Sequence, residues 1–296
     1  MHLSSLPTKE SSLFTLFTLS ILSLSWLFFI LALFNFFVFP VIFIGTLFLG
    51  LTALFFFGRL LVHAPRSTVF TVCLLLLITL GNLLFTTPTL LSGRDQGAIS
   101  EAAIRLSEST TLTYRTPATE TFFAIYGPGK ALNFPGFSYT ANGDVITQFP
   151  LVYTSFLASF HSLFGIAGLT IANGLLLFFF LFTLFELLKL FVRPFYASLG
   201  SLLAGLSFLP LWFSQFTLTE NLAVFLFTLI CYSLIRFLAE PKFTHYASLF
   251  LASSLLMFTR IEGYVFFALI FLFLLTKQPA RKLFATYRLK TLVIPG

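Results

Sequence analysis

One feature dominates this chain: the run from Leu13 to Phe57 is almost wholly apolar. A membrane-spanning helix needs about 20 consecutive apolar residues. The run is therefore long enough for two spans, with a turn near Asn35 to Pro40. It is far longer than the apolar region of a signal peptide, and no Ala-x-Ala site follows it. It is expected to stay in the membrane. Composition extends this reading to the whole chain. Hydrophobic residues make up 58% and charged residues 9%, where a soluble domain carries about 25% charged residues. Mean hydropathy is +0.99. The chain reads as an all-α polytopic membrane protein.

The same context governs the net charge of +7. In a membrane protein, basic residues set orientation and meet anionic head groups, so no nucleic-acid partner is implied. Cys73 and Cys231 both lie inside apolar runs. There is no disulfide framework and no Cys/His zinc spacing.

Past the first hairpin comes a short basic loop with Arg59, His63, Pro65 and Arg66. A third span is expected over 68–91, loosened at its far end by Gly81-Asn82 and Pro88. Residues 92–148 form the one long polar loop. Within it, Ala98 to Ser109 reads as an amphipathic helix. Ala98, Ile99, Ala102, Ala103 and Leu106 share one face, and Glu101 and Arg105 pair on the other. An irregular aromatic stretch around Tyr126–Lys130 and Asn133–Gly136 follows. Tyr139 to Ile146 reads as a hairpin turned at Asn142-Gly143-Asp144. Further spans are expected over 167–191, 196–213, 220–238, 244–259 and 262–276, then a basic stretch from Lys277 to Lys290.

The segment 148–164 is apolar but short, and charge decides its placement. If it lies along the outer interface, the cytoplasmic side holds Lys9, Arg59, Arg66, Lys189, Arg193, Arg236, Lys242 and five residues from Lys277 to Lys290. That is 12, against 5 outside (Arg94, Arg105, Arg115, Lys130 and Arg260). If it crosses, the bias reverses. The positive-inside rule therefore favours a juxtamembrane helix over 149–164 and eight spans with both ends cytoplasmic. The organisation is then a two-span hairpin with its loop (1–66), a main module (67–276), and a basic loop opening a further span (277–296), as in a truncated chain.

This topology places seven of the ten acids on the outer face. Ser92-Gly93-Arg94-Asp95-Gln96-Gly97 sits where the third span meets the polar loop. Glycines there allow close backbone approach to a ligand, and a carboxylate such as Asp95 can act as a base or hold a metal; the plainer reading is a boundary charge. Glu220 and the pair Arg260/Glu262 occupy separate hairpin tips and are expected to converge on Asp95. An ionisable group near membrane depth is a functional candidate.

In their order, these motifs resemble the GT-C-type glycosyltransferases, in particular the group of protein O-mannosyltransferases and aminoarabinose transferases. The resemblance covers about 68–276. It runs through Gly93-Arg94-Asp95-Gln96-Gly97 and the helix from Ala98. It continues through Phe149-Pro150-Leu151-Val152-Tyr153 to Phe164-Gly165 and through Ile171-Ala172-Asn173. It closes with Thr217-Leu218-Thr219-Glu220-Asn221 and Thr259-Arg260-Ile261-Glu262-Gly263. Two departures stand out: Asp95 is alone where many relatives carry two acids, and Phe149-Pro150 stands where many have Pro-Pro.

The resemblance implies a GT-C-like bundle in the plasma (inner) membrane, with the active site extracytoplasmic. It implies transfer of a sugar from a polyprenyl-phosphate donor to a lipid, protein or glycan hydroxyl. Asp95 would be the catalytic base. Glu220 would orient a substrate, Arg260, Lys130 and Arg94 would meet the lipid phosphate, and Tyr126 would stack on sugar. For Arg260 the alternative is an ion pair with Glu262. No cofactor is implied, and a divalent cation is not favoured. A lipid-linked substrate transporter or flippase and a non-catalytic membrane subunit are the competing readings. The absence of an internal repeat and the placement of charges at loop tips weigh against the transporter.

Overall fold

The structure, a computed structural model, describes residues 8–86 and 95–276, with side chains from Leu13 onward. The expectations resting on Ser92–Arg94, Pro88, Lys277–Lys290 and the last residues lie outside these ranges. The described chain is helical apart from one small sheet.

Three long apolar helices come first: α1 (Thr8–Leu33), α2 (Phe39–His63) and α3 (Arg66–Leu84). The polar loop then folds as α4 (Asp95–Ser109), β1 (Thr113–Tyr114), α5 (Pro117–Tyr126), β2 (Gly129–Lys130), β3 (Phe137–Tyr139) and β4 (Val145–Thr147). After it come α6 (Leu151–Phe164), α7 (Ile166–Leu188), α8 (Pro194–Leu206), α9 (Phe208–Ser214), α10 (Glu220–Ala239), α11 (Phe243–Met257) and α12 (Glu262–Thr276).

Five helices have the length and apolarity to cross a membrane: Leu13–Leu33 within α1, then α2, α3, α7 and α10. The pair α8 and α9 makes a sixth if the two are taken as one broken span, bent by 55°. The break has a covalent cause. Pro210 has no N–H to give the Leu206 carbonyl, and its ring would clash there; α8 ends at Leu206 and Ser207 turns extended. The apolar helices α6, α11 and α12 are shorter, at 14, 15 and 15 residues.

At the centre of the bundle, α7 packs against α3, α6, α8 and α10, while α11 fills the space between α1 and α10. Phenylalanine does much of this work. Phe178, Phe179 and Phe182 on α7 meet Phe17, Phe57 and Phe14 from the first hairpin at ring separations of 5.2–6.4 Å. Aromatic pairs in such geometry add to their burial energy. Phenylalanine thus serves the core as well as the lipid face.

Far from lying on a surface, α6 is buried continuously from Val152 to Phe160 and packs against α1, α4 and α7. Two glycines permit the fold-back onto α7. Gly165 turns the chain at φ +58°, and a Cβ at Gly168 would come within 2.2 Å of the Phe160 carbonyl oxygen. The helix expected over 149–164 is present as α6 and is enclosed by other helices of the bundle. Its side chains find helix neighbours on several sides, which a length-and-charge argument does not register.

The polar loop builds a second, smaller core. The helix expected over 98–109 is present and begins at Asp95. Its apolar face, Ala98, Ile99, Ala102, Ala103 and Leu106, is buried as expected, and Arg105 lies 3.7 Å from Glu101. The hairpin is present too: Tyr139 pairs with Val145 and Ser138 with Ile146, with Gly143 at φ +84° in the turn. It is the middle of a four-stranded antiparallel sheet ordered β1-β4-β3-β2. Phe137, Tyr139, Val145 and Ala131 close against Ala98 and Ala102 of α4. The helix α5 was not expected. Its start is well specified: Pro117 occupies the first turn, and the Thr116 and Thr119 side chains each accept from the other's backbone N–H.

Candidate functional site

The end of the bundle that carries the polar loop gathers three charged groups from two hairpin tips. Glu220 opens α10, Arg260 lies in the α11–α12 turn, and Glu262 opens α12. Arg260 Nη1 donates to Glu220 Oε1 at 2.6 Å. Its Nε and Nη2 donate to the two oxygens of Glu262 at 3.2 and 3.1 Å, a bidentate fork. The Thr219 hydroxyl oxygen lies 3.4 Å from Nη1. Hydrogen bonds to Glu262, and the nearby Glu220 carboxylate, hold the guanidinium even more firmly charged than usual. Each carboxylate at a helix start also faces the positive end of the helix dipole. The two tips meet each other and the Arg260–Glu262 pair is present, but Asp95, on which they were expected to converge, is not in the wall of the cavity they border.

These groups stand at the polar edge of a cavity of about 630 Å³. Its other walls are apolar: Leu209, Pro210 and Phe213 of α9, Val224 and Phe227 of α10, and Phe266 of α12. The bend at Ser207 turns α9 aside and makes it one wall of this space.

Behind the charged cluster lies a buried network that no periodicity in the sequence announces. Tyr153 of α6 donates to Asn173 Oδ1 of α7 at 2.6 Å. Burial pushes the Tyr153 phenol above its ordinary pKa, which keeps it a donor. The Asn173 and Asn221 amides both donate to the Phe216 carbonyl, each at 2.8 Å. Asn82 of α3 donates to Ser214 at 2.6 Å. These bonds fix the 215–219 turn from α3, α6, α7 and α10. Unsatisfied groups at such depth are costly, so the turn has one low-energy arrangement. Tyr153, Asn173 and Asn221 all belong to the motifs singled out in the sequence; their mutual contact is what the sequence leaves unseen.

The same turn reaches α4. Thr217 Oγ1 donates to the Gln96 carbonyl at 2.7 Å and lies 2.6 Å from Ser100 Oγ. Asp95, one residue before Gln96, is exposed at the start of α4. It is tied to the Glu220 turn through the backbone but is not in the cavity wall.

The other expected residues fall elsewhere. Lys130 is exposed on β2, and Tyr126 ends α5 half-exposed, stacked on Phe122 at 6.4 Å. Neither lines the cavity, because the polar loop folds around its own core over α4. Arg94 lies outside the described residues. Among the described residues no three His, Cys, Asp or Glu side chains come together as a metal site.

Comparison with family models, curated proteins and solved structures finds no match to this chain.

Proposed function

We propose that the chain is a membrane glycosyltransferase that moves a sugar from a polyprenyl-phosphate donor to an acceptor hydroxyl. One observation carries the reading: a largely apolar cavity is capped by Arg260, Glu220 and Glu262, and the Glu220 turn is hydrogen-bonded to the start of α4 beside Asp95. A donor of this class has a long apolar tail, a phosphate and a sugar. The walls of α9, α10 and α12 suit the tail, and the charged edge suits the head.

In this proposal the donor phosphate takes over one side of the Arg260 fork. Arginine offers planar, bidentate recognition of such oxyanions. Glu262 is the carboxylate that yields, since its side chain is 56% exposed against 38% for Glu220. Glu220 stays to orient the head. Asp95 takes the proton from the acceptor hydroxyl as its oxygen attacks the anomeric carbon, and the polyprenyl phosphate leaves with the bonding electrons. Positioned bases of this kind contribute about 10²–10⁴-fold in rate.

The reading includes eight spans, formed by the five long helices, the broken α8–α9 pair, α11 and α12. It places the polar loop on the extracytoplasmic side of the plasma (inner) membrane. The test supplies membranes containing the full chain with radiolabelled polyprenyl-phosphate sugars and follows label in acceptor and in water. Transfer or slow hydrolysis that disappears in Asp95→Asn supports the reading. Donors left intact by the wild-type chain across the sugar panel refute it.

A further inference from the structure

Among the described residues, the large apolar side chains that the polar loop exposes are gathered in one place. Ile125 and Tyr126 end α5 and Leu132 follows β2; they are 65%, 47% and 65% exposed. Aromatic contacts join them underneath. Tyr126 stacks on Phe122 at 6.4 Å, and Phe122 meets Phe134 edge-on at 6.0 Å. Lys130 is exposed on β2, between the two groups in sequence. No acidic residue occurs between Glu120 and Asp144. A contiguous exposed apolar patch marks an interaction surface, and the proposed transfer reaction makes no use of this one.

The fold fixes the height of the patch. Ile99, Ala103 and Leu106 of α4 join the main core of the bundle, while Glu101 and Glu108 point the opposite way, to solvent. Ala98 and Ala102 lie about a quarter-turn from the bundle-facing line, and it is they that meet the sheet. The sheet therefore lies beside α4, not on top of it. It also runs along α4. The Arg105 guanidinium sits over the Tyr114 ring of β1 at 5.3 Å. Gly136, just before β3, is so close to Ala98 that a Cβ there would come within 2.6 Å of the alanine's own. Arg105 and Ala98 are about 10 Å apart along the helix. The order β1-β4-β3-β2 thus proceeds along α4, and the free edge β2 keeps the height of β1.

That height is the end of the membrane helices. The Leu112 N–H, one residue before β1, donates to Asn35 Oδ1 at 3.1 Å, and the Phe37 N–H donates to the Thr110 carbonyl at 3.4 Å. Asn35 and Phe37 belong to the turn between α1 and α2, two of the helices long and apolar enough to cross. A patch at this level borders the head-group region. Tyrosine is enriched there because its ring has an apolar body and a wet tip. Lysine reaches phosphates while its stem stays on apolar surface.

We propose that this patch is seated in the head-group layer of the adjoining leaflet, with Ile125, Tyr126 and Leu132 at the acyl boundary and Lys130 at the phosphates. The inference does not rest on the glycosyltransferase reading. It needs only the bundle to be in a membrane.

The test places a single nitroxide in the full chain, with Cys73 and Cys231 replaced by alanine, in phosphatidylcholine–phosphatidylglycerol vesicles. Power-saturation electron paramagnetic resonance reads collisions with oxygen, which concentrates in lipid, and with a neutral nickel chelate, which stays in water. Labels at Ile125→Cys and Leu132→Cys are compared with two references. Glu108→Cys lies on the solvent side of α4, and Leu77→Cys on the exposed face of α3. All four side chains are exposed, so their replacement leaves the packing intact. The oxygen-to-nickel ratio at Ile125 and Leu132 should exceed that at Glu108 and approach that at Leu77. Ile125→Asp should return the Leu132 label to the Glu108 ratio, because a charge is costly at the acyl boundary. Ratios at Ile125 and Leu132 equal to that at Glu108 would overturn the proposal. So would low collision rates with both reagents, which mark cover by protein, or a Leu132 label indifferent to Ile125→Asp.

Discussion

The Thr217 hydroxyl donates to the Gln96 carbonyl at 2.7 Å, across 121 residues of sequence. Ser100 donates to the same carbonyl at 2.8 Å and sits 2.6 Å from Thr217. Two hydroxyl protons thus close a triangle between the turn that carries Glu220 and the first turn of α4. It joins the turn that carries Glu220 to the backbone next to Asp95.

Asp95→Asn keeps shape but cannot accept a proton. Turnover with donor in excess should fall about 10²–10⁴-fold, with donor binding nearly unchanged. Asp144→Asn is the control. The Arg115–Asp144 pair at 2.8 Å is partly exposed, and such pairs contribute about 0–1 kcal/mol. An equal loss in both variants would sink the assignment of the base.

Arg260→Ala should weaken donor binding about tenfold or more, the weight of a hydrogen bond to a charged group. Glu262→Gln should hold or raise donor affinity, because it loosens the carboxylate that competes for the fork. Competition binding with unlabelled polyprenyl phosphate measures both. A loss in Glu262→Gln as large as in Arg260→Ala would mean that the intact ion pair is what matters.

Asn173→Leu removes the acceptor of Tyr153 and one donor to Phe216. It should cost about 1–3 kcal/mol, read as a lowered midpoint of thermal unfolding in detergent. Thr217→Val should cost less, near 1 kcal/mol, since Ser100 still serves Gln96. Its effect should fall on turnover more than on stability. The reverse ranking would contradict the network described.

His161 couples α6 to α4, with Nδ1 2.6 Å from Ser107 Oγ. Burial lowers its pKa, opposed by the Glu108 carboxylate. A histidine held neutral in the fold contributes stability that is full above the unfolded pKa of about 6.5. That stability is lost as pH falls from there through the lowered folded value. Acidification should therefore lower the hydrogen-exchange protection factors of α4 amides, and His161→Gln should flatten this dependence. An unchanged pH profile in the variant would remove His161 from the account.

A reporter fused near Asn142 should score extracytoplasmic, and one in the Lys277–Lys290 stretch cytoplasmic. The opposite result at Lys277–Lys290 would break the eight-span arrangement.

Much of the bundle was legible because apolar runs longer than a bilayer's core leave few alternatives to helix. Helix ends were less so. α3 stops at Leu84, well short of the expected Leu91, where Thr86 Oγ1 turns back to the Asn82 carbonyl. The break at Ser207 follows from Pro210, a signal present in the sequence but masked within a run long enough to cross. The same holds for Thr116-Pro117, which opens α5. At the site, Glu220, Arg260 and Glu262 could be grouped because loop tips on one side of a membrane are confined to one plane. Lys130 and Tyr126 share that side, but distance within the plane depends on how the polar loop packs. Asn173 and Tyr153 bond across a helix turn-back that only tertiary packing defines.

The shortness of α11 and α12 acts on the membrane as well as on the protein. Fifteen residues make a helix of about 22 Å, several ångströms less than a typical hydrocarbon core. With α9 swung 55° off the line of α8, this flank is built from short apolar helices. In the eight-span arrangement, lipids bordering it must dimple to match, at a modest cost per ångström. In that arrangement the dimple would carry the head-group layer down toward Arg260, and the lipid-borne sugar of the proposed reaction would arrive along a shortened slope.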